Sequence, residues 1–462
     1  MKAVVLASLA LFCAAGISAQ SPPTQPPIAF VGGTLIDVSN AGHSERDIPD
    51  SVVVVRHGRV EAAGRASRVK IPTDANRIDC RGTYILPGLV DGFAGLNSQN
   101  QANAWLYMGV TTIVALQDDR RGRLKLDAHP SPHIYPLDFT GEIDEYSLLL
   151  NLPRWKSKLK NANDVVNLSE EETKAQLADM ARQGVRAVYL GRDLKTDRTS
   201  FVIAESHRLG LVTYGEFAST TYSDGIKAGV DVLLHMSRYT LGLVPPRLQQ
   251  PLVMEPDGPA YAAVRAYLMH VDPADPSIRS YGNQIKSSHV VLMPTLSLGY
   301  LLLPNHRNLW KEPAASMLDP KGLHEPPDPV TGEATEPNCD QRAAEQRQFW
   351  AISRTLEETH PPYLAGSGAS GLGTMPGIST HTELELLVRL GLTPREALAA
   401  ATGNYCDKLG WCELGSVASG RRADLLILTA DPTVDITNTR KIRSVVLDGE
   451  VIDRPALLKG RR

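Results

Sequence analysis

The strongest constraint on this chain is an alternation of short apolar runs with helix-length segments, the pattern that a parallel α/β barrel requires. Residues 185–190, 212–215, 230–235 and 290–295 read as strands. The helices between them declare their ends. Ser169-Glu-Glu-Glu172 forms a capping box, in which Ser169 accepts from the third helical amide and Glu172 reaches back. That helix runs toward Arg182, and Gly184 suits its termination. Thr393-Pro394-Arg-Glu396 repeats the device with proline at the first helical position. Leu384, Leu387, Val388 and Gly391 mark one apolar face at helical spacing. In such barrels the functional groups stand at the C-terminal ends of the strands.

The two ends of the chain read differently from its middle. Residues 29–38, 51–63 and 445–452 have strand character, with turns at His57-Gly58 and Asp448-Gly449. Ahead of them, Met1-Lys2, an apolar run from Ala3 to Gly16 and the small residues Ser18 and Ala19 have the layout of a secretory signal peptide, too short to span a bilayer. The sequence therefore predicts a leader at 1–19, a Pro-rich linker at 20–27 and an exported protein, periplasmic or secreted. With 462 residues, 42% of them hydrophobic, the chain can bury a sizeable core. Its net charge of −3 favours neither nucleic acid nor an anionic membrane as partner. No membrane insertion is expected after the leader; self-association and a small-molecule ligand stay open.

Export gives the cysteines meaning, because an oxidising compartment permits disulfides. Cys80, Cys339, Cys406 and Cys412 remain once Cys13 leaves with the leader. Cys406 and Cys412 flank a helix end and the turn at Gly410, so a short bridge between them is expected, against the alternative of two separate thiols. Cys80 and Cys339 have no assigned partner. Zinc ligation by cysteine is disfavoured, since no Cys-x-x-Cys pair occurs.

Several motifs in order carry a family resemblance. Leu86-Pro-Gly-Leu-Val-Asp-Gly-Phe-Ala-Gly95 resembles the first-strand motif of the amidohydrolase superfamily, with Asp91 kept and its two histidines replaced by Phe93 and Gly95. The run from Thr380 to Thr402, then Leu414-Gly-Ser-Val, Ala423-Asp-Leu-Leu-Ile-Leu428, Asp431-Pro432 and Val445-Val-Leu-Asp-Gly449, is similar to the imidazolonepropionase-like and prolidase-like branch. The resemblance implies a TIM-like (β/α)8 barrel over 85–412, with an insertion at 304–338. Beside it, 28–84 and 413–455 would combine into one small β-domain. It also implies hydrolysis of carbon–nitrogen bonds by one or two divalent metals such as zinc, with a carboxylate moving the proton.

The same resemblance places the expected metal ligands, and five of six positions cannot coordinate as the family's do. Phe93 and Gly95 stand on the first strand, and Tyr189 stands where a lysine that bridges two metals when carbamylated is expected. Gly215 replaces the strand-five histidine, and Gly368 the metal-bound acid. His235 alone survives, and a single imidazole does not hold a catalytic zinc. Asp91, Phe93, Gly95, Tyr189, Gly215, His235 and Gly368 are thus expected to outline a former pocket holding no metal. A rebuilt site would need new carboxylates. Glu216 and Asp193 are the candidates, followed by Asp118, Asp119, Asp138, Glu142 and Asp144. Ser367 lacks a Gly-x-Ser-x-Gly elbow, and no catalytic residue is assigned.

Other histidines have structural readings: His207 on a helix, His381 lining the former substrate pocket, and His129, His133, His306 and His324 solvated in Pro-rich loops. The insertion at 304–338, rich in proline, is expected to be extended and able to cover the barrel mouth. The pocket beneath should be sparsely charged, edged by Phe93, Tyr189, Tyr214 and His235. The sequence thus predicts an exported, catalytically degenerate amidohydrolase-like protein that binds or scaffolds. The alternative is an active hydrolase of cyclic amides or dipeptides working through a rebuilt site.

Overall fold

In a computed structural model of the chain, residues 26–117, 126, 129–141, 160, 168–249, 259–335, 338–369 and 371–459 are described. The leader at 1–19, most of the linker, and Asp118, Asp119, Glu142 and Asp144 lie outside the described residues.

The N-terminal strands are β1 (Ile28–Leu35), β2 (Ile48–Arg56), β3 (Arg59–Arg65), β4 (Asn76–Asp79) and β5 (Tyr84–Pro87). The C-terminal strands are β13 (Leu425–Leu428), β14 (Ile442–Leu447) and β15 (Glu450–Val451). All of them share one sheet, ordered β15-β14-β13-β5-β1-β2-β3, with β4 beside β1. The junction of the two termini is the antiparallel pairing of β13 with β5, Leu426 opposite Leu86. Val52 to Val55 are all buried, so β2 is covered on both faces. Val53 and Val55 face Phe30 and Leu425, whereas Val52 and Val54 face Ala29, Val69 and Ala75. Both hairpin turns read from the sequence are present, His57-Gly58 and Asp448-Gly449, each with two residues at positive φ, as tight turns of this kind require.

Between these strands lie seven parallel ones: β6 (Leu89–Leu96), β7 (Val110–Gln117), β8 (His133–Thr140), β9 (Ala187–Leu190), β10 (Val212–Gly215), β11 (Val232–Leu234) and β12 (Val291–Met293). They pair in chain order. Residues 362–369 take the eighth position. Leu364 N–H donates to Leu292 O at 2.9 Å on one side, and Gly368 N–H to Phe93 O at 2.8 Å on the other, which closes a TIM-like barrel. Its interior is filled by Tyr135, Tyr189, Tyr214, Met293 and Tyr405 among others, so it is a packed core and not a pore. Both capping boxes form, starting the helices Glu170–Arg182 and Pro394–Ala400.

The insertion departs from expectation. Proline was expected to keep it extended, yet it folds into short 3-10 helices, Leu309–Lys311, Pro313–Met317 and Pro320–Gly322. Proline is tolerated at a first helical position, where its missing N–H costs nothing, and Asp319 caps by accepting from Lys321 N–H at 2.9 Å. Ala314, Ala315 and Met317 are buried, and Arg440 reaches Glu312 at 2.9 Å. Gln101 Nε2 donates to Gly322 O at 3.2 Å, fixing the insertion to the helix Gln99–Tyr107. The insertion packs against the helix Gln99–Tyr107, and its His324 O accepts from Gly373 N–H at 3.2 Å in the loop after the closing segment. Among the described residues, no helix is long and apolar enough to cross a membrane.

Candidate functional site

The strands β10, β11 and β12 end at a cavity of about 360 Å³. Strand alternation decides what faces it. A side chain at Gly215 would meet Phe217 at 2.6 Å and Val230 at 3.0 Å, in the layer between strands and helices. The next residue, Glu216, is the one turned to the mouth. Asp91 likewise points away from it. Its carboxylate accepts from Trp105 Nε1 at 2.9 Å, Ser367 N–H at 2.7 Å, Ser367 Oγ at 2.6 Å and Thr380 Oγ1 at 2.7 Å, tying β6 to the closing segment and two helices. Asp91 and Gly215 are therefore not pocket residues: Asp91 is held by Trp105 and Thr380 from the helices, and Gly215 faces Phe217 and Val230.

Phe93, Tyr189 and His235 do converge. The Phe93 ring meets His235 edge-on at 5.1 Å and lies 6.4 Å from Tyr189. Gly95 stays at the seam, its N–H donating to Ala369 O. Gly368 has a positive φ of 67°, and a Cβ there would lie 2.8 Å from the Leu298 side chain, so leucine fills the space where the resemblance expects an acid. Asp193 is half-buried in the loop after β9 and does not line the cavity. Asp138 accepts from Phe139 N–H on β8.

Glu216 is the centre of the arrangement. Arg238 Nε lies 2.9 Å from its Oε1, Tyr189 OH donates to its Oε2 at 2.5 Å, and His235 Nε2 is 3.5 Å from the same oxygen. Burial pushes the Glu216 carboxyl up, but Arg238, aided by His235 and Arg192, outweighs it and holds the group below its ordinary value. Burial pushes His235 down, against the pull of the Glu216 carboxylate. Its Nδ1 lies 2.6 Å from Thr295 Oγ1. His235 and Thr295 both have positive φ, 58° and 46°. Left-handed backbone at two non-glycine residues costs ~1–3 kcal/mol each and clusters at functional sites.

The cavity is not the sparsely charged one expected. Arg238, Arg265 and Arg342 line it with Glu216 and Glu345, over an apolar floor that includes Leu298 and Phe349. The helix Cys339–Glu357 supplies Arg342, Glu345 and Phe349, and Arg265 is paired with Glu345. Tyr214 is buried inside the barrel instead of edging the cavity. His381 is no pocket residue either. It is fully buried between Thr439 Oγ1, 2.9 Å away, and Met108 O, 2.7 Å away, and burial pushes it down to about 3. The sequence reading missed Arg238, Thr295 and Leu298. Arg238 follows His235 by one helical turn, which was the available signal.

The sulfurs of Cys406 and Cys412 stand at bonding distance, with Cα atoms 4.2 Å apart, while Cys80 is buried and unbridged. Among the described residues, a single group of three potential metal ligands comes together: His133, Asp424 and Asp448, at the other end of the barrel. His133 was expected to be solvated, and burial between the barrel and the terminal sheet overturns that.

No family model matches the chain. Over 68 residues it is 46% identical to adenine deaminase 2 of Rhizobium etli and 44% identical to imidazolonepropionase of Deinococcus deserti. These matches cover 15% and 14% of the chain, and the chain spans only 10% and 17% of those relatives. Similar solved structures extend over nearly its whole length. Molinate hydrolase matches with a TM-score of 0.64 at 17% identity, covering 95% of this chain and 97% of that one. A Xaa-Pro dipeptidase with bound methionine matches at 0.58 and 16%, covering 92% and 99%, and A. niger ochratoxinase at 0.58 and 16%, covering 92% and 95%. These solved structures, all under 25% identical, share with this chain the closed barrel and its composite sheet, while the sequence matches to adenine deaminase 2 and imidazolonepropionase are confined to 68 residues.

Proposed function

We propose that this amidohydrolase-fold chain is an exported binding protein, in which a guanidinium has taken the charge-balancing place of a metal and the barrel mouth receives a small ligand. One observation carries the reading: Glu216, the carboxylate turned to the mouth, is neutralised by Arg238 at 2.9 Å and capped by Tyr189 at 2.5 Å. A catalytic metal in this fold needs several imidazole and carboxylate ligands converging from different strands. Here Leu298 fills the place of the strand-eight acid, Phe93 meets His235 edge-on, and Gly215 points away. The residues present do not fit the family's metal centre, so no step is derived through one. The arginines and the apolar floor instead suit a ligand with an acidic end and an apolar body. Export rests on the sequence of the leader.

A second reading has its own observation. Thr295, His235 and Glu216 form a chain of polar contacts on strained backbone, which a hydrolase of carbon–nitrogen bonds with a rebuilt site would use. The two readings separate on turnover. The mature chain, incubated with cyclic amides and dipeptides with and without added zinc or manganese, is expected to hydrolyse none. Metal-dependent turnover that disappears in Glu216→Gln would overturn the binding reading. Restoring Phe93→His, Gly95→His and Gly368→Asp together is expected to recover no activity, because Leu298 occupies the space the new acid needs.

A further inference from the structure

The barrel's floor holds a cluster that the mouth does not use. β8 begins at His133, Asp424 immediately precedes β13, and Asp448 sits in the turn after β14. The three therefore come from the barrel and from two strands of the terminal sheet. His133 Nε2 lies 3.4 Å from Asp424 Oδ2 and 3.4 Å from Asp448 Oδ1, and the three ligand atoms are within 4.8 Å of one another.

Those distances are informative. The Nε2 atom is buried and ion-pairs with both carboxylates, at a separation longer than a normal hydrogen bond. A charged ring N–H beside a carboxylate closes to about 2.7–2.9 Å. Two ligands on a tetrahedral zinc, each bonded at about 2.0–2.2 Å, stand about 3.3–3.5 Å apart. The separations here are of the second kind, and they occur twice from one nitrogen.

The surroundings fix the ligands in place. Arg422 Nε donates to Asp424 Oδ2 at 2.6 Å, and another Arg422 nitrogen donates to Thr112 Oγ1 at 2.9 Å. Asp424 Oδ1 accepts from Asp448 N–H at 2.9 Å, so the first aspartate orients the second. Outer contacts of this type hold ligating carboxylates in metal sites. Asp448 also opens onto a cavity of about 440 Å³ between the two hairpin turns, which gives a cation and its water an entry path.

We propose that His133, Asp424 and Asp448 bind one divalent cation of zinc's class. One imidazole and two carboxylates match the borderline character of that ion, and a water from the cavity completes its coordination. The ion would fasten the barrel's third strand to the sheet that unites the chain ends. Because it binds the folded chain, it would stabilise the fold by mass action. The site stands apart from the mouth and does not rest on the binding reading above.

The experiment uses the whole chain, stripped with a chelator and titrated with zinc by calorimetry and with cobalt by absorption. One saturable equivalent is expected, with the visible bands of four-coordinate cobalt and a higher unfolding temperature in zinc. Asp448→Asn leaves a half-exposed, isosteric residue that tolerates the turn, so folding should survive while affinity falls by more than about tenfold. Glu171→Gln, at an exposed carboxylate on the helix Glu170–Arg182, should leave both readouts unchanged. Absence of saturable binding, or binding undiminished in Asp448→Asn, overturns the site. Binding lost in Glu216→Gln but kept in Asp448→Asn would place the metal at the mouth and overturn the binding reading as well.

Discussion

Two regions of this barrel bury carboxyl groups equally deeply and neutralise them in opposite ways. At the mouth, Glu216 is kept ionised by the Arg238 guanidinium and lies below its ordinary value. At the seam where the closing segment meets the helix Ile378–Leu390, Asp91 and Glu383 have no cation. Burial pushes Asp91 up against its four neutral donors, and pushes Glu383 up to about 8, with the nearby Asp91 adding to the shift. Burial alone does not set protonation; the sign of the neighbour does. The mouth holds a charge pair, whereas the seam holds Glu383 raised to about 8 and joins the closing segment to its helices.

The largest expected effect tests the seam. Asp91→Ala leaves the Trp105, Ser367 and Thr380 donors unpaired in a dry interior. At ~1–3 kcal/mol for each orphaned group, the loss should be on the order of 4 kcal/mol or more by denaturant unfolding. A loss under about 1 kcal/mol would show that Asp91 does not hold the barrel closed.

The next tests the mouth. Arg238→Met strands a buried carboxylate and should cost about 3 kcal/mol, while adding Glu216→Gln should recover most of it. That recovery is the signature of a charge pair. If the double variant is as unstable as the single, Arg238 acts by packing, and the contrast between the regions fails.

The smallest effect is a difference of slope with pH. Glu383 has a folded value raised above the ordinary 4.5, to about 8. Its contribution is therefore fully present below pH 4.5 and is lost as pH rises toward 8. Glu216 is lowered, so its contribution is present above 4.5 and is lost as pH falls below that. Glu383→Gln should flatten the decline of stability between about pH 4.5 and 8. Glu216→Gln with Arg238 intact should leave that window unchanged and flatten the acid side. Both windows are read from unfolding free energies measured across pH.

The fold was legible because its signals are local or ordered along the chain. The capping boxes at Ser169 and Thr393, the turns at His57 and Asp448, and the motifs around Leu86 and Ala423 each survive in the structure at the residues that announced them. The site was half legible. Phe93, Tyr189 and His235 meet, and Glu216 was named as a candidate, but Gly215 and Asp91 were assigned to a pocket they turn away from. For Gly215 the error is one residue of strand register, since its neighbour Glu216 faces the mouth, whereas between Asp91 and Phe93 the strand pairing is irregular. The insertion was misread for a different reason: proline's preferences set its local backbone, but the helix it packs on is a matter of long-range contact.

The amino-acid sequence by itself determined which side chains stand at Phe93, Gly95, Tyr189, Gly215 and Gly368, where the resemblance expects metal ligands, because that is a question of which side chains exist. Only the tertiary structure decided what stands around them. Arg238 reaches Glu216 from the next strand's helix, Leu298 enters the space beside Gly368 from a segment some seventy residues earlier, and Asp424 and Asp448 come back from the chain's far end to meet His133. Charge balance and steric filling depend on distances of a few ångströms between residues far apart in the chain, and those distances are fixed only when the barrel closes and the two termini join one sheet.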